Sequence, residues 1–192
     1  MNLRQYQLDS ISDVMKSYKD GADKTLLIMP TAAGKTVVAS SIASNFNKVI
    51  WAAHRSELLD QAIKLGPYTP MSVFSNNSDE CDLLVVDECH HLPATTISKF
   101  VSNIKYRKML GLTATPTRLD NNGLIFDATI YGSSIEELTN DGYLTPISLN
   151  TIRTQYDKDL AIIEMLYSNK LKNSIIFVKN KEHGSFYKNS LS

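Results

Sequence analysis

Short apolar runs alternate along this chain with stretches whose apolar residues recur at helical spacing. The runs Thr25–Met29, Val49–Ala53, Asp82–Val86 and Lys108–Leu112 are apolar on consecutive positions rather than on every second one. Strands buried on both faces of a parallel sheet have this pattern, and the stretches between them have the length of crossover helices. The pattern predicts helices over about Arg4–Tyr18, Lys35–Phe46, Ser56–Lys64, Thr95–Ile104 and Ser134–Asp141. Gly66, Pro67, Pro70 and the polar run Ser75–Glu80 mark a loop, and Tyr143–Thr151 reads as extended. Beyond about Asp157 a new unit is predicted, with a helix to Leu171, a strand Ser174–Val178 and a helical tail. One strand with two helices cannot bury a core of its own. The expected fold class is therefore α/β, a parallel sheet flanked by helices, followed by a smaller unit.

Composition adds little to this picture. The 192 residues include 43% hydrophobic and 21% charged side chains, with a formal net charge of zero. This weighs against a basic coat for nucleic acid but leaves room for a local contact surface. Two cysteines, Cys81 and Cys89, make no disulfide framework. With His90 and His91 they match none of the usual zinc spacings. The N-terminal Met-Asn-Leu-Arg-Gln-Tyr lacks the apolar stretch of a signal peptide, and no run approaches the roughly 20 apolar residues of a membrane span, so a cytoplasmic location is expected.

Candidate chemistry lies where strands end. Met29-Pro30-Thr31-Ala32-Ala33-Gly34-Lys35-Thr36 follows a buried strand and opens a helix. Loops in that context turn backbone N–H groups toward one point and hold phosphate oxygens there. Lys35 is placed to reach the β- and γ-phosphates, and the Thr36 hydroxyl to ligate Mg²⁺. The glycine that usually starts such a loop is replaced by Met29. A second strand ends in Asp87-Glu88, at the sheet edge where open α/β folds bind ligands. Asp87 is the candidate magnesium ligand, and Glu88 the base that takes a proton from attacking water.

Taken together and in this order, Pro30–Thr36, Asp87-Glu88-Cys89-His90 and Thr113-Ala114-Thr115 resemble motifs I, II and III of superfamily 2 helicases. Leu3-Arg4-Gln5-Tyr6-Gln7 resembles that family's entry motif, and Ala53–Gln61 its motif Ia. The run Thr113–Asp120, with Phe126-Asp127, Tyr131-Gly132 and Gly142-Tyr143-Leu144, is similar to the subgroup of phage DNA-repair helicases and type III restriction motor subunits. The resemblance implies a RecA-like P-loop domain that binds and hydrolyses ATP with Mg²⁺. Its nucleotide contacts would come from Arg4, Gln7, Thr31, Ala32, Ala33, Gly34, Lys35 and Thr36, with Gln7 reading the adenine edge. It further implies that His90, Thr113 and Thr115 couple hydrolysis to movement and that Arg55 contacts a nucleic-acid phosphate, with DNA favoured over RNA.

Two departures shape the expectation. The segment between Gln61 and Asp87 is short for a family that normally places a strand, a helix and further nucleic-acid motifs there. Ile175-Ile176-Phe177-Val178 resembles the first strand of a second RecA-like domain, without the later motifs that carry an arginine finger. The expected domains are residues 1–152, RecA-like domain 1, and 153–192, the beginning of RecA-like domain 2. Weak ATP hydrolysis by these residues alone follows, with a separate chain as one possible source of the missing part. A non-catalytic nucleotide- or DNA-binding module is the alternative; a small nucleotide kinase would lack the entry motif and Thr-Ala-Thr.

Overall fold

A computed structural model describes residues 2–89, 94–115, 126–148, 151, 157–168 and 175–191. The chain divides into two compact units, Met1–Pro146 and Ile147–Ser192. The first contains α1 (Gln5–Lys19), β1 (Lys24–Ile28), α2 (Lys35–Ala43), β2 (Val49–Ala53), α3 (Ser56–Ile63), β3 (Thr69–Ser72), β4 (Asp79–Val86), α4 (Ala94–Ser102), β5 (Ile104–Thr113), β6 (Ala128–Tyr131) and α5 (Ile135–Asn140). Its six strands form one sheet in the order β3-β2-β4-β5-β1-β6, with every pairing parallel.

The apolar runs of the central strands explain the layering. Successive side chains of a strand point to opposite faces. Val49 and Trp51, Leu83 and Val85, and Leu110 and Leu112 pack on one face with Val14 of α1 and Val38 and Ile42 of α2. Ile50 and Ala52, Leu84 and Val86, and Met109 pack on the other with Ile97 and Phe100 of α4. Each fully buried side chain of this size contributes roughly 1.5–3 kcal/mol relative to exposure. The two apolar faces therefore hold β2, β4 and β5 in the interior of the sheet. Gly111 sits where a Cβ would lie 2.5 Å from the Phe126 ring, so its lack of a side chain admits that ring against the sheet.

Several expectations change. The stretch read as loop after Pro67 contains β3, which pairs with β2 in register Ile50 to Thr69. β4 and β5 begin earlier than the apolar runs suggest, at Asp79 and Ile104, because their first residues pair with each other. β6 was not foreseen, and residues 143–148 form a turn and irregular backbone rather than a strand. His90 lies outside the described residues.

In the second unit, α6 (Lys158–Ser168) and α7 (Lys181–Leu191) are joined by side chains. Asp159 accepts the Tyr187 hydroxyl at 2.7 Å and pairs with His183 Nε2 at 2.8 Å. Ile175–Val178, expected to be a strand, belong to none, and Ile175 and Phe177 are exposed. An apolar run takes strand geometry only where another strand satisfies its backbone groups. Among the described residues, no helix is long and apolar enough to cross a membrane.

Candidate functional site

The sheet order brings the candidate residues together. β2, β4, β5 and β1 are successive neighbours, and their carboxyl ends carry in turn Arg55, Asp87-Glu88, Thr113–Thr115 and the Met29–Thr36 loop. Parallel strands put all four exits on one edge, the place where such sheets bind ligands.

The loop after β1 is shaped by two left-handed residues. Ala32 has φ 66° and Gly34, the N-cap of α2, has φ 84°. Gly34 is required twice over, since a Cβ there would also stand 2.6 Å from Gln7 Nε2. Ala33 is buried, and its carbonyl accepts hydrogen bonds from the Tyr6 hydroxyl at 3.0 Å and from Gln7 Nε2 at 3.2 Å. Gln7 in turn accepts the Arg4 N–H at 3.0 Å, in a capping box at the start of α1. Its carboxamide thus ties the first helix to the loop after β1. Thr31 and Ala32 are exposed, and Thr36, in the first turn of α2, is half-buried.

Lys35 is buried at 8% exposure, and its Nζ donates to the Met29 carbonyl at 3.3 Å and lies 3.8 Å from Glu88 Oε1. A buried ammonium normally requires such partners. Met29, which replaces the usual glycine, is itself fully buried, and its N–H donates to the Thr113 carbonyl at 3.1 Å. Its backbone therefore continues the pairing of β1 with β5 while its side chain fills the core.

Consecutive strand residues point to opposite faces, so Asp87 and Glu88 would ordinarily diverge. Glu88 has φ 47°, which breaks the alternation at the end of β4 and brings its carboxylate toward Lys35. Its N–H donates to Asp87 Oδ1 at 2.9 Å. Asp87 is 5% exposed. Burial, then the neighbouring Glu88 charge, push its carboxyl up to about 6, against the opposing effects of the Glu88 N–H and the Lys35 charge. A carboxylate held so far above its ordinary range is one that a cation would stabilise.

The exit of β5 touches both loops. Cys89 N–H donates to the Leu112 carbonyl at 3.0 Å, beside the Met29 to Thr113 bond. Thr113 Oγ1 accepts the Thr115 N–H at 3.1 Å and donates to the Thr115 carbonyl at 3.0 Å, which closes a tight turn. Arg55 stands apart, exposed at the N-cap of α3. The sequence assigned no role to Tyr6 or Tyr143. Tyr6 bonds the loop directly, and Tyr143 lies 5.2 Å from it, with Arg4 4.8 Å from the Tyr143 ring centre. The signals available for Tyr143 were its place after the turn glycine Gly142 and the resemblance of Gly142-Tyr143-Leu144 to a helicase subgroup.

The donor set suits magnesium. The Thr36 hydroxyl and the Asp87 carboxylate are hard oxygen ligands, and Mg²⁺ commonly takes one or two protein oxygens, with water and phosphate completing its shell. Among the described residues there is no group of three or more His, Cys, Asp or Glu able to hold a metal, as a cage for Zn²⁺ or Ca²⁺ would need.

This architecture is that of a RecA-like domain of the superfamily 2 helicase type. The fold superposes on the Sulfolobus solfataricus SWI2/SNF2 ATPase core, solved in complex with dsDNA, at TM-score 0.52 and 18% identity, over 65% of this chain and 34% of that one. Residues 1–76 and 73–118 match the family described as type III restriction enzyme, res subunit, and the chain belongs to that family. It is 28% identical to the type I restriction enzyme EcoAI endonuclease subunit of Escherichia coli, over 82% of this chain and 25% of the relative. It is 26% identical to the DNA 3'-5' translocase XPB2 of Sulfurisphaera tokodaii, over 72% of this chain and 37% of the relative. The chain thus spans a quarter to a little over a third of these relatives.

Proposed function

We propose that residues 1–152 form the Mg-ATP-binding RecA-like domain of a nucleic-acid-dependent motor ATPase, and that residues 153–192 begin a second such domain. The carrying observation is the meeting of Lys35 and Glu88, 3.8 Å apart, between a left-handed phosphate loop and an acidic strand exit. In this proposal the loop amides and Lys35 hold the β- and γ-phosphates, and Thr36 and Asp87 hold Mg²⁺. Bound Mg²⁺ supplies charge neutralisation at the phosphate oxygens. Glu88 orients water and accepts its proton. Gln7 and Arg4 face the base. His90, Thr113 and Thr115 link hydrolysis to movement, and Arg55 contacts a strand phosphate.

DNA is proposed over RNA: one relative is named as a DNA translocase, against another named as an RNA helicase. Transition-state charge in this chemistry is commonly met by an arginine worth roughly 10³–10⁵ in rate. That arginine is assigned to the second domain, whether carried on this chain or another. The 192 residues alone are therefore expected to bind MgATP and turn it over slowly.

The test measures binding of a fluorescent ATP analogue and phosphate release by the wild-type chain, Lys35→Ala and Glu88→Gln. Lys35→Ala should lose binding. Glu88→Gln should keep it and lose whatever turnover exists. Equal nucleotide affinity in wild type and Lys35→Ala would refute the proposal; binding without any wild-type turnover would make the chain a non-catalytic module.

A further inference from the structure

An exposed arginine beside an exposed aromatic ordinarily samples many rotamers, yet Arg4 is held from two sides. Its guanidinium carbon lies 4.8 Å from the Tyr143 ring centre, and its Nη1 donates to the Tyr6 hydroxyl at 3.4 Å. The Tyr6 and Tyr143 rings are 5.2 Å apart and tilted by 57°. The Tyr6 hydroxyl donates to Ala33 O at 3.0 Å, so this cluster abuts the phosphate loop.

Tyr143 is presented by a constructed turn. α5 starts with a capping box in which Ser134 Oγ accepts the Glu137 N–H at 3.1 Å and Glu137 Oε2 accepts the Ser134 N–H at 2.8 Å. The helix is anchored by Leu138, which is buried in the core. Gly142 ends it with φ 74° and has nothing within 4 Å of where a Cβ would stand, so its glycine serves conformation rather than space. The next two amides, of Tyr143 and Leu144, both donate to the Leu138 carbonyl at 2.8 and 2.9 Å. The ring is thus fixed relative to the core, at 38% exposure.

We propose that Tyr143 is a positioning residue for nucleobase recognition, holding the Arg4 guanidinium as a flat cationic surface on which the base of a bound nucleotide stacks. This rests on the phosphate-loop assignment above. Planar guanidinium groups stack on π-faces, and a stack favours any base, so base choice falls to the Gln7 carboxamide.

The experiment compares dissociation constants for MgATP and for magnesium tripolyphosphate, which lacks a base. Tyr143→Ala should weaken MgATP by about tenfold, the scale of one base stack, and leave tripolyphosphate unchanged. Tyr143→Phe should restore wild-type values, since the ring and not the hydroxyl is used. Arg4→Lys, at an exposed position, should reproduce the selective loss should Tyr143→Ala fold poorly by thermal melting. Parallel weakening of both ligands, an unchanged MgATP affinity, or failure of the Phe rescue would overturn the assignment. Wild type binding tripolyphosphate as tightly as MgATP would leave the phosphate loop standing and remove the platform. Binding of neither ligand would overturn both.

Discussion

Asp87 offers a test that needs no ligand. Its carboxyl is raised from 3.8 to about 6, first by burial and next by the Glu88 charge. A raised folded-state pKa means that the folded protein holds this proton more tightly than the unfolded chain. The associated stability is fully present below pH 3.8 and is lost as pH rises through about 6. Above that window the fold carries a buried carboxylate at a cost, at 1.36 kcal/mol per pH unit, of about 3 kcal/mol. Asp87→Asn keeps the shape and the acceptor for the Glu88 N–H but never ionises. With divalent cations chelated, it should be more stable than wild type by about 2–3 kcal/mol at neutral pH, an advantage that shrinks by about 2 kcal/mol near pH 4.5. Trp51 is the one tryptophan and is fully buried in β2. Its fluorescence during urea unfolding therefore reports this unit. A gap independent of pH, or an Asn variant less stable than wild type at neutral pH, would refute the assignment of that cost to Asp87.

Gly34→Ala must adopt φ 84° with a Cβ 2.6 Å from Gln7 Nε2, so it should cost about 2 kcal/mol in the same unfolding assay and weaken nucleotide binding. In the second unit, hydrogen bonds from Tyr187 and then His183 hold Asp159 below the usual carboxylate range. A depressed folded-state pKa contributes stability above the unfolded value that is lost as pH falls, so the link between α6 and α7 should weaken on acidification. Amide exchange in α7 would report it; protection unchanged between neutral pH and pH 3 would count against the pairing.

How much of this was legible depended on burial. β1, β2 and the apolar part of β4 and β5 announce themselves because both faces are covered, and a run such as Val49–Ala53 has no other use. β3 was hidden because it is an edge strand with one buried residue, Met71, and a proline at position 70. Proline lacks an N–H and reads as a loop, but at an edge that loss is tolerated. β6 alternates half-buried and exposed residues and lies at the other edge. Ile175–Val178 fails in the opposite direction, because apolarity announces a strand for which the described residues of its unit offer no pairing. That the Met29–Thr36 loop and the acidic pair Asp87-Glu88 leave strand ends was readable from strand-to-loop context. Tyr143 was not, since its distance from Arg4 in sequence hides a contact made only by the fold.

The site is also where the chain departs from local preference. Among the described residues, the non-glycine positions with positive φ are Ala32 and Glu88, one in each of the two loops that face each other. Such conformations cost roughly 1–2 kcal/mol for residues with a Cβ. Glycine at position 88 would remove the strain but also the carboxylate that reaches Lys35. Ordinary strand geometry there would keep the carboxylate and send it away from Asp87. The left-handed turn brings the Glu88 carboxylate to 3.8 Å from the buried Lys35 while Asp87 stays buried next to it in the chain. It is held by the Glu88 N–H to Asp87 and by the Cys89 N–H to β5. The disfavoured charge at Asp87 comes from its burial and from the Glu88 carboxylate that the turn keeps beside it, with the Lys35 charge acting against it.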